Sequence, residues 1–273
     1  NISDRTIAAD SDAGFVGIVD SENVTARDLT LSNVAPGVLL VGSQNVTVQN
    51  ISTQNTSRGV KGISLDNSKV VNSAFLSSNS DDYAVSLARS SNNTIQNNSF
   101  AQTKIGSTGI EVWNDSDKNL LANNTLQYDS SLSQDSFDGF RIGHQSDEND
   151  IISNTLTGAP IDIDGSRLST QRNTVQRNVI QNSSDDGIDD DGNATLIQSN
   201  QVINTTTEFD DEAISGGSYA RVKNNTVDQT DGSGIEVSRV ATVKNNTITD
   251  SSDGIVLEGE RSVARNNTID TIT

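Results

Sequence analysis

The chain has 273 residues, 37 acidic against 18 basic, a formal charge of -19, and 32% apolar residues. Without Cys or Met and with a single His, it excludes a disulfide framework, a thiolate nucleophile, Cys-bound zinc and an imidazole cluster. No apolar run is long enough to span a membrane, and the charge opposes nucleic acid, whose phosphates such a surface repels. Leu, Ile, Val and Phe still make up about a quarter of the chain, too many for a disordered polyelectrolyte.

The acids are mostly Asp, 29 against 8 Glu, and Lys is scarce at 6. A hydrated carboxylate surface of this kind keeps a protein soluble in concentrated salt, so a halophilic source is expected. The sequence opens without Met, which suggests a processed chain or an excised domain.

In chain order, a small residue followed by apolar-x-apolar recurs at Gly17, Gly37, Gly62, Ala84, Gly109, Gly139, Pro160, Gly187, Ala213, Gly234 and Gly254. A second motif, Asn-x-apolar, recurs at Asn98, Asn124, Asn154, Asn178, Asn200, Asn225, Asn246 and Asn267. Neither has helical spacing; both read as short strands set between Ser, Asn, Asp and Gly turns. Repeats every 20 to 30 residues therefore predict an all-β, single-stranded parallel solenoid of about eleven coils, one domain over residues 1–273 within a longer chain. An inward Asn at each bend is expected to bond to the backbone and to the Asn one coil away. In each Asn-Asn-Thr the first Asn should face out and the second in. With no polar cap after Thr273, a neighbouring domain or copy is expected at the C-terminal coil.

The NNTI and NNTV units and the GI-x-V/L strands resemble the right-handed parallel β-helix repeats of the pectin-lyase-like superfamily, nearest to NosD-like repeat proteins and to carbohydrate-binding and sugar-hydrolase domains. The likeness runs from about Gly14 to Ile269. It implies a fold; function has to be read from a site. The NosD likeness also implies a link to copper maturation, which the lack of Cys and Met and the single His oppose.

In such a fold the strand opening with Gly-Ile carries the substrate groove. Alternation directs Ile63 and Leu65, Val85 and Leu87, Ile110 and Val112, Phe140 and Ile142, and Ile161 and Ile163 inward. One outward column is then Val19, Leu39, Ser64, Ser86, Glu111, Arg141, Asp162, Asp189, Ser215, Glu236 and Val256. The next includes Asp66, Ala88, Trp113, Asp164 and Asp191. Four central coils thus gather Glu111, Trp113, Arg141, Asp162, Asp164, Asp189 and Asp191 near the lone His144, with the insertion 127–138 and the acidic loop 208–212 as candidate walls.

A polysaccharide is the expected ligand, with Trp113 stacking on a sugar and Glu111 and Asp164 binding it. Asp162 and Asp189 are candidate acid and base; Arg141 and His144 are candidate bases for a lyase or epimerase. Asp164, Asp189, Asp190 and Asp191 are candidate Ca²⁺ ligands. Asp190 falls at an inward position, so it is either a functional acid or cation ligand, or a sign that its strand frays. SSDDGIDDDG resembles the first acidic motif of polygalacturonases, Asn-Thr-Asp followed by Gly-Ile-Asp. However, Ser184 and Asp185 replace Asn-Thr, the next coil lacks the second Asp pair, and Gly143-His144 precedes the acids instead of following them. The expected role is a secreted or cell-surface β-helix engaging an extracellular glycan at this acidic patch. The alternative is a structural stalk, adhesin or viral spike-type β-helix without a small-ligand site.

Overall fold

The computed structural model describes residues 5–8, 16–34, 36–56, 58–77, 83–102, 107–128, 138–165, 170–206 and 212–272. Every named strand pairing is parallel, and each strand bonds to its counterpart one coil before and after. The chain forms about ten turns of parallel β-solenoid with no helix among the described residues, hence none long and apolar enough to cross a membrane. It divides into two compact units, Asn1–Arg141 and Ile142–Thr273.

Each coil is narrow, so a few inward residues suffice for a core. In the first unit these include Leu29, Val48, Val85, Leu87, Ile110 and Val112, all at most 1% exposed. Phe75 and Phe100 are register partners with rings stacked at 5.2 Å, and Phe140 meets Phe100 edge-on at 6.3 Å. In the second unit Ile161, Ile163, Ile188, Ile214 and Ile235 fill the same role.

Strict alternation fails beside the small residue in several described coils, and this failure explains the small-residue column. In Arg58–Ile63, Tyr83–Ala88, Thr108–Trp113 and Glu212–Gly216 two successive residues are buried: Gly59–Val60, Ala84–Val85, Gly109–Ile110 and Ala213–Ile214. The first of each pair turns into a space already filled by the next coil. A Cβ on Gly59 would run into the Phe75 ring and lie 2.7 Å from the Ala84 carbonyl oxygen. Gly109 stands in the same relation to Leu126 and Gly139, and Gly187 to Val202 and Ala213. Gly59→Val should therefore destabilise the protein by on the order of 2–3 kcal/mol through overpacking. An unchanged thermal midpoint would refute that account.

The third coil corrects the expected register. Its small residue is Gly59, not Gly62, because only that choice stacks between Gly37 and Ala84. Lys61 then pairs with Ser86 and Ile63 with Ala88, the places expected for Ser64 and Asp66, and Ile63 is only half-buried. The first coil shifts too: Gly17, not Val19, pairs with Leu39.

The bends are set by Asn. Asn92, Asn97, Asn123, Asn224, Asn245 and Asn266, each first in an Asn-Asn pair, are exposed with φ between 52° and 59°. Asn tolerates this left-handed conformation better than other residues with a Cβ, because its short polar side chain can bond locally. The second Asn points inside. Asn93 Nδ2 donates to Asn119 Oδ1, and Asn98 Nδ2 to Asn124 Oδ1, both at 3.1 Å in the first unit. In the second unit Asn154, Asn178, Asn200, Asn225 and Asn246 each donate Nδ2 to the Oδ1 of the next, the last bond ending on Asn267, at 3.0–3.1 Å. Ser68 and Ser73 do related work in earlier coils, accepting from Val46 N and Ile51 N.

Candidate functional site

In the Asn1–Arg141 unit the strands Tyr83–Ala88 and Thr108–Trp113 lie in register, Ser86 beside Glu111 and Ala88 beside Trp113. Alternation turns Glu111 and Trp113 outward, both half-buried. Glu111 Oε2 accepts from Ser86 Oγ at 2.9 Å, and its carboxylate also accepts from the Tyr83 hydroxyl. The Arg141 guanidinium lies 4.9 Å from the Trp113 ring centroid, a cation–π contact, and 3.5 Å from the Asp138 carboxylate. Arg58 stands 6.0 Å from the Tyr83 ring centroid. The expected trio of Glu111, Trp113 and Arg141 is thus one cluster, joined by Tyr83, Arg58 and Asp138.

Burial raises the Glu111 carboxyl above the usual range, against the lowering effects of Ser86, Arg141, Tyr83 and Arg58. The Tyr83 phenol is raised too, first by burial and then by the Glu111 charge. The cluster therefore holds an aromatic ring, a cation and a carboxyl with increased proton affinity on one strand face.

Tyr83, Arg58 and Asp138 escape alternation-based reading for one reason. Each stands immediately before the small residue of its coil, where the strand was taken to begin, or, for Arg58, before Gly59 when Gly62 was expected in its place. Because two inward residues follow, the residue before them faces out, beside the site.

A concavity of this unit lies elsewhere, a groove of about 780 Å³ lined by Asp28 and the bend residues Asn50, Asn72, Asn97 and Asn123. Its lining is mostly amide and hydroxyl, with the Asp28 carboxylate and no aromatic ring.

In the Ile142–Thr273 unit the strand Ile161–Asp164 pairs with Ile188–Asp190, putting Asp162 beside Asp189 and Ile163 beside Asp190. Asp162, Asp164 and Asp189 are half-buried, and Asp191 is exposed. Asp190 does not fray outward: it is 1% exposed, inside the coil. Its Oδ1 accepts from Gly192 N at 3.0 Å and Thr195 Oγ1 at 2.8 Å, and its Oδ2 from Gly217 N at 3.1 Å. Alternation therefore separates Asp190 from the other three candidate Ca²⁺ ligands. Among the described residues no three His, Cys, Asp or Glu side chains converge as a metal site. His144 is half-buried at a turn with φ 49°. Residues 129–137 and 207–211, most of the two expected walls, lie outside the described residues.

A further carboxyl belongs here. Asp186 is 8% exposed, accepts from Glu212 N at 2.7 Å, and stands immediately before Gly187, as Tyr83 does before Ala84. Burial foremost, then the charge of Asp189, with Glu212 and Asp185 adding to it, pushes its pKa up to about 9. Asp190, though more deeply buried, rises only to about 6, because burial is opposed by its three donors.

The fold and these polar strand faces define a parallel β-solenoid of the kind that presents side chains in ladders along its coils. The family model of the periplasmic copper-binding protein NosD matches residues 1–167, and that of the right-handed β-helix region matches residues 108–269. The chain belongs to the NosD family of right-handed β-helix proteins. No curated protein matches it significantly.

Similar solved structures include the A-module of mannuronan C-5 epimerase AlgE6 from Azotobacter vinelandii, with TM-score 0.65 and 15% identity, covering 91% of this chain and 74% of that one. A GH87 α-1,3-glucanase catalytic domain in complex with nigerose has TM-score 0.59 and 12% identity, over 96% of this chain and 62% of that one. A variant of the periplasmic alginate epimerase AlgG has TM-score 0.53 and 14% identity, over 96% and 75%. At these identities the likeness is one of fold.

The family's copper does not fit the residues present. Copper sites draw on thiolate, thioether and imidazole donors, and this chain offers no Cys, no Met and His144 alone.

Proposed function

We propose that this chain binds a polysaccharide outside the cytoplasm, with Trp113 as the stacking surface and Glu111 and Arg141 as polar partners. The observation that carries the reading is the half-buried Trp113 held under the Arg141 guanidinium, two residues beyond the bonded Glu111 on the same outward strand face. A sugar offers an apolar ring face and a rim of hydroxyls, which such a cluster matches. The similar folds that act on polysaccharides, and the periplasmic description of the family, support it. Asp162 and Asp189, neighbours in register, are the carboxyls we assign to acid–base chemistry on a bound polymer, with Asp164 and Asp191 on the same outward face.

Trp113 is the sole Trp, so intrinsic fluorescence reads the site directly. Titration with oligosaccharides of neutral glucans and of uronans should give a saturable change for at least one class. By calorimetry, Trp113→Ala should weaken that binding at least ~10-fold, equivalent to about 1.4 kcal/mol. Fluorescence indifferent to every polymer, together with unchanged affinity in the variant, would leave the stalk reading in its place.

A further inference from the structure

The second unit carries a feature at odds with the rest of the chain. RVKNNT at 221–226, TVKNNT at 242–247 and VARNNT at 263–268 are three copies of one segment in consecutive coils. Their register makes Lys223 and Lys244 partners, and Lys244 and Arg265 partners. Three cations therefore stand in a column with a spacing of about 4.8 Å, where like charges directly opposite repel. Lys244 and Arg265 are exposed and Lys223 half-buried.

None of the three makes an ion pair among the described residues. Elsewhere Arg27 pairs with Asp28, Arg141 with Asp138, and Arg172 with Asp147 and Glu148. A stack of repelling charges does not stabilise the fold, and hydrogen-bonding residues would serve the strand as well. Gln176 and Gln198 hold the column in the two preceding coils.

The surroundings indicate what the cations meet. One residue on, Asn224, Asn245 and Asn266 stand exposed at the bend. Beyond it Thr226, Thr247 and Thr268 form an exposed hydroxyl column in the same register. Across three coils the surface thus repeats cation, amide and hydroxyl. A matching ligand is a linear polymer with one anion and several hydroxyls per repeating unit. A DNA strand offers phosphates but no free hydroxyls along its backbone for the amide and hydroxyl columns to meet. A uronan has one carboxylate per ring with hydroxyls on either side.

From this array we infer that Lys223, Lys244 and Arg265 form a second glycan site, which binds an anionic polysaccharide laid along the stacked coils. The site is independent of Trp113, and the two are tested separately.

The experiment uses the full chain and calorimetry at low and raised NaCl. The probes are oligogalacturonate, its fully methyl-esterified form with the same rings and no charge, and a single-stranded DNA oligomer. In a Trp113→Ala background, oligogalacturonate should still bind and weaken with salt, while the methyl ester and DNA bind far more weakly. Adding Lys223→Gln, Lys244→Gln and Arg265→Gln should reduce the remaining affinity at least ~10-fold and remove its salt dependence. The melting temperature should not fall, since the substitutions remove repulsion. The single Lys244→Gln, at an exposed position, should shift affinity in the same direction and keeps the test valid if the triple variant folds poorly. Equal binding of acid and ester, DNA binding as tight as uronan, or affinity indifferent to the triple change would each overturn the site. Loss of neutral-glucan binding in Trp113→Ala alone would bear on the first site and leave this one standing.

Discussion

Replacing Asn200 by alanine is expected to destabilise the protein by on the order of 3–6 kcal/mol, because the side chain serves several buried groups at once. Its Oδ1 accepts from Asn178 N at 2.9 Å and from Asn178 Nδ2 at 3.1 Å. Its Nδ2 donates to Val175 O at 2.9 Å and to Asn225 Oδ1 at 3.0 Å. Alanine removes all four contacts and leaves their partners inside a coil where Val175, Ile197 and Val202 are fully buried. Each stranded buried group costs about 1–3 kcal/mol, and a methyl group offers no replacement donor or acceptor. Asn204→Ala is the control: Asn204 donates to Asn182 Oδ1 at 2.7 Å, but at an exposed bend. With φ at 53° an alanine there costs about 1–2 kcal/mol of backbone strain, so its effect should stay below that of Asn200→Ala. Urea unfolding of the two variants checks the contrast. Hydrogen exchange should accelerate first at Asn178 and Asn225, since a solenoid couples mainly neighbouring coils. Equal midpoints for the two variants would mean that these inward amides contribute little.

The fold is legible in the sequence because the solenoid repeats its constraints, and repetition turns weak local signals into a period. The small residues at Ala84, Gly109, Gly187, Ala213 and Gly234 mark where two successive side chains must enter a filled interior. The third coil misleads because it has two glycines, Gly59 and Gly62, each followed by an apolar residue. The choice between them rests on Phe75, a contact with no trace in the local pattern. The site is legible in part. Glu111 and Trp113 follow from alternation, and Arg141 from its place one coil on. Tyr83 and Asp186 do not, because they fall just before the small residue, at a position that reads as the turn before a strand, and Arg58 is hidden by the same third-coil ambiguity. The contrast between Asp186 and Asp190 is equally hidden in GIDDDG. It depends on which backbone N–H groups the neighbouring coils direct at each carboxyl, not on the acids themselves.

That contrast sets the pH dependence of stability. In the unfolded chain Asp186 titrates at an ordinary carboxyl value of 3.8; in the fold its pKa is about 9. Between those values the native state holds a proton that the unfolded state releases, so stability falls as pH rises through this window and levels above it. Asp190 acts with the same sign over a narrower window, from 3.8 to about 6. Asp186→Asn keeps an oxygen to accept from Glu212 N and removes both the titration and the like charge facing Asp189, Glu212 and Asp185. The variant should therefore match wild type near pH 4 and unfold at progressively higher denaturant as pH rises, with the largest gap near pH 9. Its remaining slope should lie below pH 6, where Asp190 titrates. Urea midpoints of both proteins from pH 4 to 10 decide the matter, and parallel profiles would show that Asp186 ionises in the fold as it does in the open chain. A diverging pair would establish a carboxylic acid that stays protonated at neutral pH beside Asp189. Such an arrangement supplies a proton donor just before the strand and a proton acceptor on it, where Asp162 and Asp189 stand in register.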